Sequence, residues 1–300
     1  MRILLTGAGG NVGRGIAPRL RARGHTVVSS DLNPLPDDPA ADSGDSTDGE
    51  FVQCDVQAGV GLERAAQGCD LLLHTPAWHG IHSRVKTEID FWRLNVDGFF
   101  WALQAAKEAG VRRLVFLSSM SWHGHYEKYG FTKRIGEELC EYHRRNHGLR
   151  YVIIRPADFT PWGSDYLNRY GARLLYGGVD REDVLDCVDR SVRHLETGLS
   201  PSADPEGVVV NAVRANAFTA DDTESWEQDP LASVERVFPG SRDLVENYGI
   251  NIARRPSLPD ASGAAEIGFR PRRHFGTFLD ELRELDAKGE QAVRDMRCPY

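Results

Sequence analysis

Tyr129-Gly130-Phe131-Thr132-Lys133 places a phenol and an ammonium at i and i+4, on one face of any helix that carries them. A free tyrosine is a poor base because its pKa lies near 10. A lysine cation beside it stabilises the phenolate and lowers that pKa toward the working range. Such a pair can take a proton from a hydroxyl group. The same spacing also occurs by chance on helix surfaces, so its position in the chain decides its meaning. Just upstream, the apolar run Val111 to Ser118 reads as a strand, and Ser118 and Ser119 stand at its carboxyl end. A hydroxyl there can hold a reacting oxygen and orient it toward Tyr129; it can equally cap a turn.

The elements that position these groups begin at the start of the chain. Ile3 to Leu5 reads as a short buried strand, and Val12, Ile16 and Leu20 recur at helical spacing, with Gly24 closing the helix. Gly7-x-x-Gly10-x-x-Gly13 therefore sits on a strand-to-helix turn. Gly7 permits the turn, Gly10 lets backbone approach a pyrophosphate, and Gly13 lets helix and strand pack closely. A helix N-terminus offers N–H groups to phosphates, and Asn11 and Val12 stand at this one. A second strand, His25 to Ser30, ends at Asp31, followed by Leu32. A carboxylate at that spacing meets the hydroxyls of an adenosine ribose and repels a 2′-phosphate. No arginine follows at Leu32 or Asn33, so the expected cofactor is NAD rather than NADP. With NAD in place, the nicotinamide cation adds to Lys133 in favouring the phenolate. Lys133 can also hydrogen-bond the nicotinamide ribose. Tyr129 then takes a hydroxyl proton as hydride leaves for the cofactor.

Strands expected at Phe51–Val56, Asp70–His74, Val111–Ser118 and Tyr151–Arg155 alternate with helices around Leu62–Ala66, Ile89–Leu103 and Tyr129–Asn146, the last capped by Gly148. Alternation at this spacing implies an α/β fold with a doubly wound parallel sheet covered on both faces. The helix stripe Ile89, Trp92, Val96, Phe99 and Leu103 is expected to be core or dimer surface. Asn33 to Glu50, rich in Pro, Asp, Ser and Gly, is expected to be a mobile surface loop. Beyond Pro156 the pattern changes. Irregular chain is expected from Pro161, Trp162 and Gly163. It is followed by a helix on Val184, Val188, Val192 and Leu195 ended by Gly198, a strand at Val208–Val213, helices at Asp229–Phe238 and Ser241–Tyr248, and a last helix on Phe275, Phe278, Leu279 and Leu282. The final dozen residues are charged and expected to fray. The division is 1–156 as the nucleotide-binding core and 157–300 as a smaller substrate-binding region interleaved with it.

Composition narrows the partners. Thirty-six basic and 44 acidic residues give a net charge of −8, which disfavours nucleic acid or an anionic membrane as the main partner. No apolar run approaches a membrane span, and the chain opens directly on a strand with no signal peptide, so the expectation is a cytoplasmic protein. The five cysteines, Cys54, Cys69, Cys140, Cys187 and Cys298, show no C-x-x-C spacing and are expected to be free thiols without structural zinc.

In order, Thr6-Gly7-Ala8-Gly9-Gly10-Asn11-Val12-Gly13, Asp31, Cys54-Asp55-Val56, Leu73-His74-Thr75-Pro76-Ala77, Asn95-Val96-Asp97-Gly98, Leu114-Val115-Phe116-Leu117-Ser118-Ser119, Tyr129-x-x-x-Lys133 and Arg155-Pro156 span the first half of the chain. Val179-Asp180-Arg181-Glu182-Asp183-Val184 and Ile267-Gly268-Phe269-Arg270-Pro271 follow. Together they resemble the extended short-chain dehydrogenase/reductases, the NAD-dependent epimerase/dehydratase family. The resemblance implies a Rossmann-type fold, NAD as cofactor, and Ser119, Tyr129 and Lys133 as a catalytic triad. Ser119 is assigned over Ser118 because the family serine lies five residues before a glycine, here Gly124. It also implies that Asp55 and Val56 meet the adenine and that Thr75, Pro76 and Ala77 line the ribose–phosphate side. Asn95 is structural or part of a proton relay, and Leu32 and Pro156 complete the cofactor set. A homodimer through the long helix and the tyrosine helix is compatible with this family.

The chain departs from the family pattern twice. Only nine residues separate Ser119 from Tyr129, and 157–178 lacks the Asn-Val-Tyr-Gly-Pro run of many sugar-nucleotide enzymes. Both losses remove surface that would hold a nucleoside diphosphate, so a smaller sugar or sugar acid is expected, oxidised at a secondary alcohol or hemiacetal carbon. Trp78, His79, His82, Ser83, Ser119, Met120, His123 and His125 are candidate substrate contacts, and Arg155 and Arg173 candidate anion partners. No metal is expected, because His79 and His82 lie on a loop with no acid or cysteine at ligand spacing. Two other readings stand beside this one: an epimerase or dehydratase that returns the hydride, and a non-catalytic dinucleotide sensor.

Overall fold

The computed structural model describes residues 1–35, 50–122, 127–159, 166–197 and 206–296. The loop segment 36–49 lies outside the described residues, as do His123, Gly124, His125, Pro161, Trp162, Gly163, Gly198 and Cys298. Seven strands, β1 (Arg2–Thr6), β2 (Thr26–Asp31), β3 (Glu50–Gln53), β4 (Leu71–His74), β5 (Arg113–Leu117), β6 (Arg150–Pro156) and β7 (Gly207–Ala212), form one sheet in the order β3-β2-β1-β4-β5-β6-β7. The pairs from β3 through β6 are parallel. Ile3, Leu4 and Leu5 of β1 and Leu71 to Leu73 of β4 are almost wholly buried, as strands covered on both faces must be. The strand order reverses between β1 and β4, and the carboxyl ends of those two strands define the crevice where ligands bind in such sheets.

The helices are α1 (Asn11–Ala22), α2 (Leu62–Ala66), α3 (Glu88–Trp92), α4 (Gly98–Glu108), α5 (Lys128–His147), α6 (Tyr166–Tyr176), α7 (Arg181–Glu196), α8 (Ala220–Glu224), α9 (Pro230–Val237), α10 (Arg242–Asn247), α11 (Phe275–Asp286) and α12 (Glu290–Arg294). Val12, Ile16 and Leu20 are the buried stripe of α1, and Val184, Val188, Val192 and Leu195 that of α7. Gly148 ends α5 in the left-handed conformation (φ 67°). Gly136 lets α5 lie close against the sheet, since a Cβ there would stand 2.5 Å from the ring of Phe116.

The stripe expected on the long helix as core or dimer surface divides at its start. Ile89 and Trp92 are exposed, and Phe91 is fully buried instead. The cause is a π-helical turn at Arg93–Asp97 between α3 and α4. Its wider turn inserts one residue into the repeat, so the buried series runs Phe91, Val96, Phe99, Leu103. β3 is also shorter than expected. It stops at Gln53, and Asp55 pairs with Val60 in a tight reversal whose amides at Gln57 and Ala58 donate to the Asp55 carboxylate (2.9 and 3.3 Å).

Two compact units divide the chain: 1–155 with 185–210 and 262–269, and 156–184 with 211–261 and 270–300. The second unit has its own core, in which Tyr170, Leu174, Trp226, Phe275, Phe278 and Leu282 are buried. Three helices in it were not expected. α6 follows the segment read as irregular, α8 is a short capped turn, and α12 lies in the charged tail with Val293 buried. Among the described residues no helix is long and apolar enough to cross a membrane, and Cys54, Cys69, Cys140 and Cys187 are buried free thiols.

Candidate active site

The first turn of the fold is built for close backbone approach. Gly7 has φ 75°, and a Cβ on it would meet the Thr75 hydroxyl oxygen at 2.5 Å and Pro76 N at 3.0 Å. The post-β4 segment therefore lies directly on the glycine turn. Thr75 Oγ1 donates to the carbonyl oxygens of Thr6 and Gly7 (2.8 and 3.3 Å). The N-terminus of α1 begins at an exposed Gly10 with no side-chain cap and no acidic residue in its first turn. Its N–H groups at Asn11 and Val12 are suited to a pyrophosphate. Asp31 closes β2 and accepts the Gly9 N–H (2.9 Å), which fixes the carboxylate beside the turn. Leu32, next to it, is exposed. Val56 packs against Gly98 at the start of α4. A dinucleotide fits this set: glycine backbone for phosphate and a carboxylate one strand away for a ribose.

Lys133 of α5 reaches the end of β5, next to which Ser118 and Ser119 stand. Tyr129 and Lys133 face the same side of α5 and are 4% and 3% exposed. Lys133 Nζ donates to the Leu117 carbonyl oxygen (2.7 Å) and lies over the Phe116 ring (5.1 Å to its centre). Burial pushes its pKa down to about 7, against the opposing pull of Glu137. Ser119 Oγ accepts the Ser121 N–H (3.1 Å), at the start of the turn Met120–Trp122. The neighbouring Ser118 hydroxyl is committed elsewhere, donating to Glu137 (2.5 Å).

Asn95 links this cluster to the loop after β4. Its Oδ1 accepts the Trp78 N–H (2.8 Å), and its Nδ2 donates to the Trp78 carbonyl (3.1 Å) and to Thr132 Oγ1 (2.9 Å). Thr132 in turn donates to the Tyr129 carbonyl oxygen (2.8 Å). The π-helical turn places Asn95 on this inward path. His79 lies against Tyr129, ring centres 4.8 Å apart, and its Nδ1 accepts the Ile81 N–H (3.4 Å). His82 stands edge-on to Trp78 and accepts the His79 N–H (3.0 Å). Lys128, not foreseen from the sequence, fixes the loop by donating to the carbonyls of Ser83 and Lys86 (2.7 and 2.6 Å). Pro156 closes β6. Among the described residues no group of three His, Cys, Asp or Glu side chains could hold a metal.

The two arginines read as anion partners have other commitments. Arg155 makes a two-pronged pair with Glu137, Nε to Oε1 at 2.8 Å and Nη2 to Oε2 at 2.5 Å. Arg173 is buried with Nε 3.5 Å from Asp158. Glu137 was also missed; the available signal was its spacing, one further turn along the face of Tyr129 and Lys133.

The lysine's burial has a stability consequence. The unfolded chain holds the Lys133 proton to about 10.5, whereas the fold releases it near 7. Between these values the unfolded state binds more protons, so stability rises with pH; below about 7 the full penalty stands. Lys133→Met should therefore stabilise the protein at pH ~6 by about 1–3 kcal/mol after loss of the Leu117 hydrogen bond, and should flatten the rise toward pH ~9.5. Urea unfolding at the two pH values checks this; equal stability of the two proteins at the lower pH refutes it.

Sheet order, glycine turn, strand-end carboxylate and the Tyr–Lys helix together define a dinucleotide-dependent oxidoreductase class. The model of the NAD dependent epimerase/dehydratase family matches residues 3–163, and the chain belongs to that family. It is an NAD-dependent enzyme family by description. A uronate dehydrogenase of Pseudomonas putida is 26% identical over 209 residues, 64% of this chain and 71% of that protein. Among solved structures, a variant uronate dehydrogenase from Agrobacterium tumefaciens complexed with NAD gives a TM-score of 0.62 at 22% identity, covering 94% of this chain and 89% of that one. A UDP-galactose 4-epimerase gives 0.64 at 19% identity, covering 97% and 100%. These structural likenesses establish the fold.

Proposed function

We propose that this protein oxidises a small sugar acid or sugar at a secondary alcohol or hemiacetal carbon, with NAD as acceptor. The observation that carries the reading is the buried Tyr129–Lys133 face of α5 at the end of β5. Ser119 anchors the reacting oxygen, Tyr129 takes its proton, and Lys133 stabilises the resulting phenolate. NAD, when bound, supplies the hydride acceptor. Gly7, Gly10, Asn11, Val12 and Gly13 are the proposed phosphate contacts, Asp31 and Leu32 the ribose contacts, and Asp55 and Val56 the adenine contacts. Thr75, Pro76, Ala77, Asn95 and Pro156 complete the cofactor set, and His79, His82, Ser83 and Met120 face the substrate. The nine-residue interval between Ser119 and Tyr129 and the similarity to a uronate dehydrogenase support a small substrate.

The test is a panel of uronates, aldoses and nucleotide sugars, followed by net NADH absorbance with NAD and with NADP. Net NADH from uronates, with NAD preferred through the Asp31 carboxylate, is the expected result. Turnover of nucleotide sugars without net NADH would favour epimerase chemistry. That reading is kept because a UDP-glucose 4-epimerase of Lactobacillus helveticus is 25% identical over 181 residues. A cytoplasmic homodimer belongs to the same proposal. The dimer is supported by the exposed Trp92, Phe100, Trp101, Phe131 and Tyr142 on α3, α4 and α5. A single monomeric boundary in sedimentation velocity would remove the dimer.

A further inference from the structure

Tyr129, Lys133 and Glu137 follow one another at four-residue spacing along one face of α5. Glu137 is the member with no part in the chemistry above. Its carboxylate is buried and fully engaged: Oε1 accepts the Ser118 hydroxyl and Arg155 Nε, and Oε2 accepts Arg155 Nη2. The two side chains are only 9% and 15% exposed. A buried ion pair contributes little net stability over apolar residues of the same shape, so fold stability alone does not account for it. We propose that the Glu137–Arg155 pair is an electrostatic counterweight to Lys133, a pair of positioning residues that sets the charge felt by the Tyr129–Lys133 face.

The surroundings of Lys133 single out this pair. From β4, His74 is wholly buried and kept neutral by that burial and by the Lys133 charge. From β5, the contact is the neutral Leu117 carbonyl. The π-helical turn meets α5 through neutral groups, Asn95 Nδ2 donating to Thr132 Oγ1. On α5 itself the titratable neighbours are Tyr129, Cys140, whose thiol burial pushes up, and Glu137. Arg155 of β6 reaches this face through Glu137. Burial disfavours the ammonium, and Glu137 is the foremost opposing influence on it. Arg155 then limits how far that opposition goes. Ser118 holds the carboxylate to the end of β5, beside Ser119.

The sign is fixed by charge. Removing the anion makes each nearby proton easier to lose; removing the cation makes it harder. Glu137→Gln keeps the shape and should move both limbs of the kcat–pH profile to lower pH by ~0.5–1 unit. Arg155→Gln should move both to higher pH by a similar amount, with the double variant near the wild-type position. Arg155→Lys, which keeps the charge, should restore the limbs, and Ser118→Ala should leave them in place. The same displacements should appear in the Lys133 titration of the protein carrying carbon-13 at lysine Cε, read by NMR without substrate. The proposal rests on the Tyr129–Lys133 reading only for the kinetic arm. If Tyr129→Phe keeps full turnover, that reading falls while the NMR titration still decides the charge coupling. Equal loss of activity at every pH, with unmoved limbs and an unmoved Lys133 titration, overturns the proposal. So do displacements of the two charge variants in the same direction.

Discussion

Tyr129→Phe should lower kcat for NAD-coupled oxidation by about a thousandfold while leaving NAD affinity within about threefold. The change deletes one oxygen. The ring stays 4% exposed against His79, and α5 keeps the backbone tie from Thr132 to the Tyr129 carbonyl. Lys133 keeps its hydrogen bond to Leu117, so its position does not depend on the phenol. Under the proposed mechanism, what is lost is the step the phenol performs, acceptance of the substrate proton as hydride leaves. A group acting in the transition state should reduce kcat and kcat/KM together. Initial rates of NADH formation with the best panel substrate, beside NAD titration by tryptophan quenching, provide both numbers. Turnover within about threefold of wild type would remove Tyr129 from the chemistry.

The parts of this site legible in the sequence are those with a short local signature. The glycine turn, the four-residue Tyr–Lys spacing and the Asp31 strand end each follow from the chain's own periodicity, and the structure places each on the expected element. The α5 boundaries were close because a left-handed Gly148 is a local stop signal. What failed was non-local. A regular 3.6-residue repeat set Ile89 and Trp92 in one stripe with Val96, Phe99 and Leu103, read as core or dimer surface, but the π-helical turn at Arg93–Asp97 rotates the register and buries Phe91 in their place. That turn exists in company with tertiary bonds from Asn95 to Trp78 and Thr132, which no window of sequence contains. The Glu137–Arg155 pair was missed for the same reason: its members are 18 residues apart on a helix and a strand. The short helices α8 and α12 carry too few apolar positions to give a period, and α12 is marked mainly by the burial of Val293.

Gly13→Ala should weaken NAD binding by at least about tenfold and destabilise the fold by about 2–3 kcal/mol, although alanine is the better helix former. A Cβ at Gly13 would stand 2.3 Å from the Gly7 carbonyl oxygen and 2.6 Å from both Cα and carbonyl oxygen of Ala8. These are backbone atoms of the turn between β1 and α1, so no side-chain rotation relieves the contact. Relief requires α1 to back away from β1, opening the turn that carries the Asn11 and Val12 N–H groups and the Gly9 N–H bond to Asp31. The Ala8 N–H bond to Ser30 (3.1 Å) and the Gly10 N–H bond to Gly7 (3.0 Å) would be disturbed with it. Gly24, at the other end of the same helix, is the control. It has φ 82° but nothing within 4 Å of a Cβ. Gly24→Ala should therefore cost only about 1 kcal/mol of backbone strain and leave NAD affinity unchanged. Thermal unfolding and NAD titration of the two variants, made well below either melting point, separate the cases. Equal NAD affinity in both would mean that the close packing at Gly13 does not shape the cofactor turn.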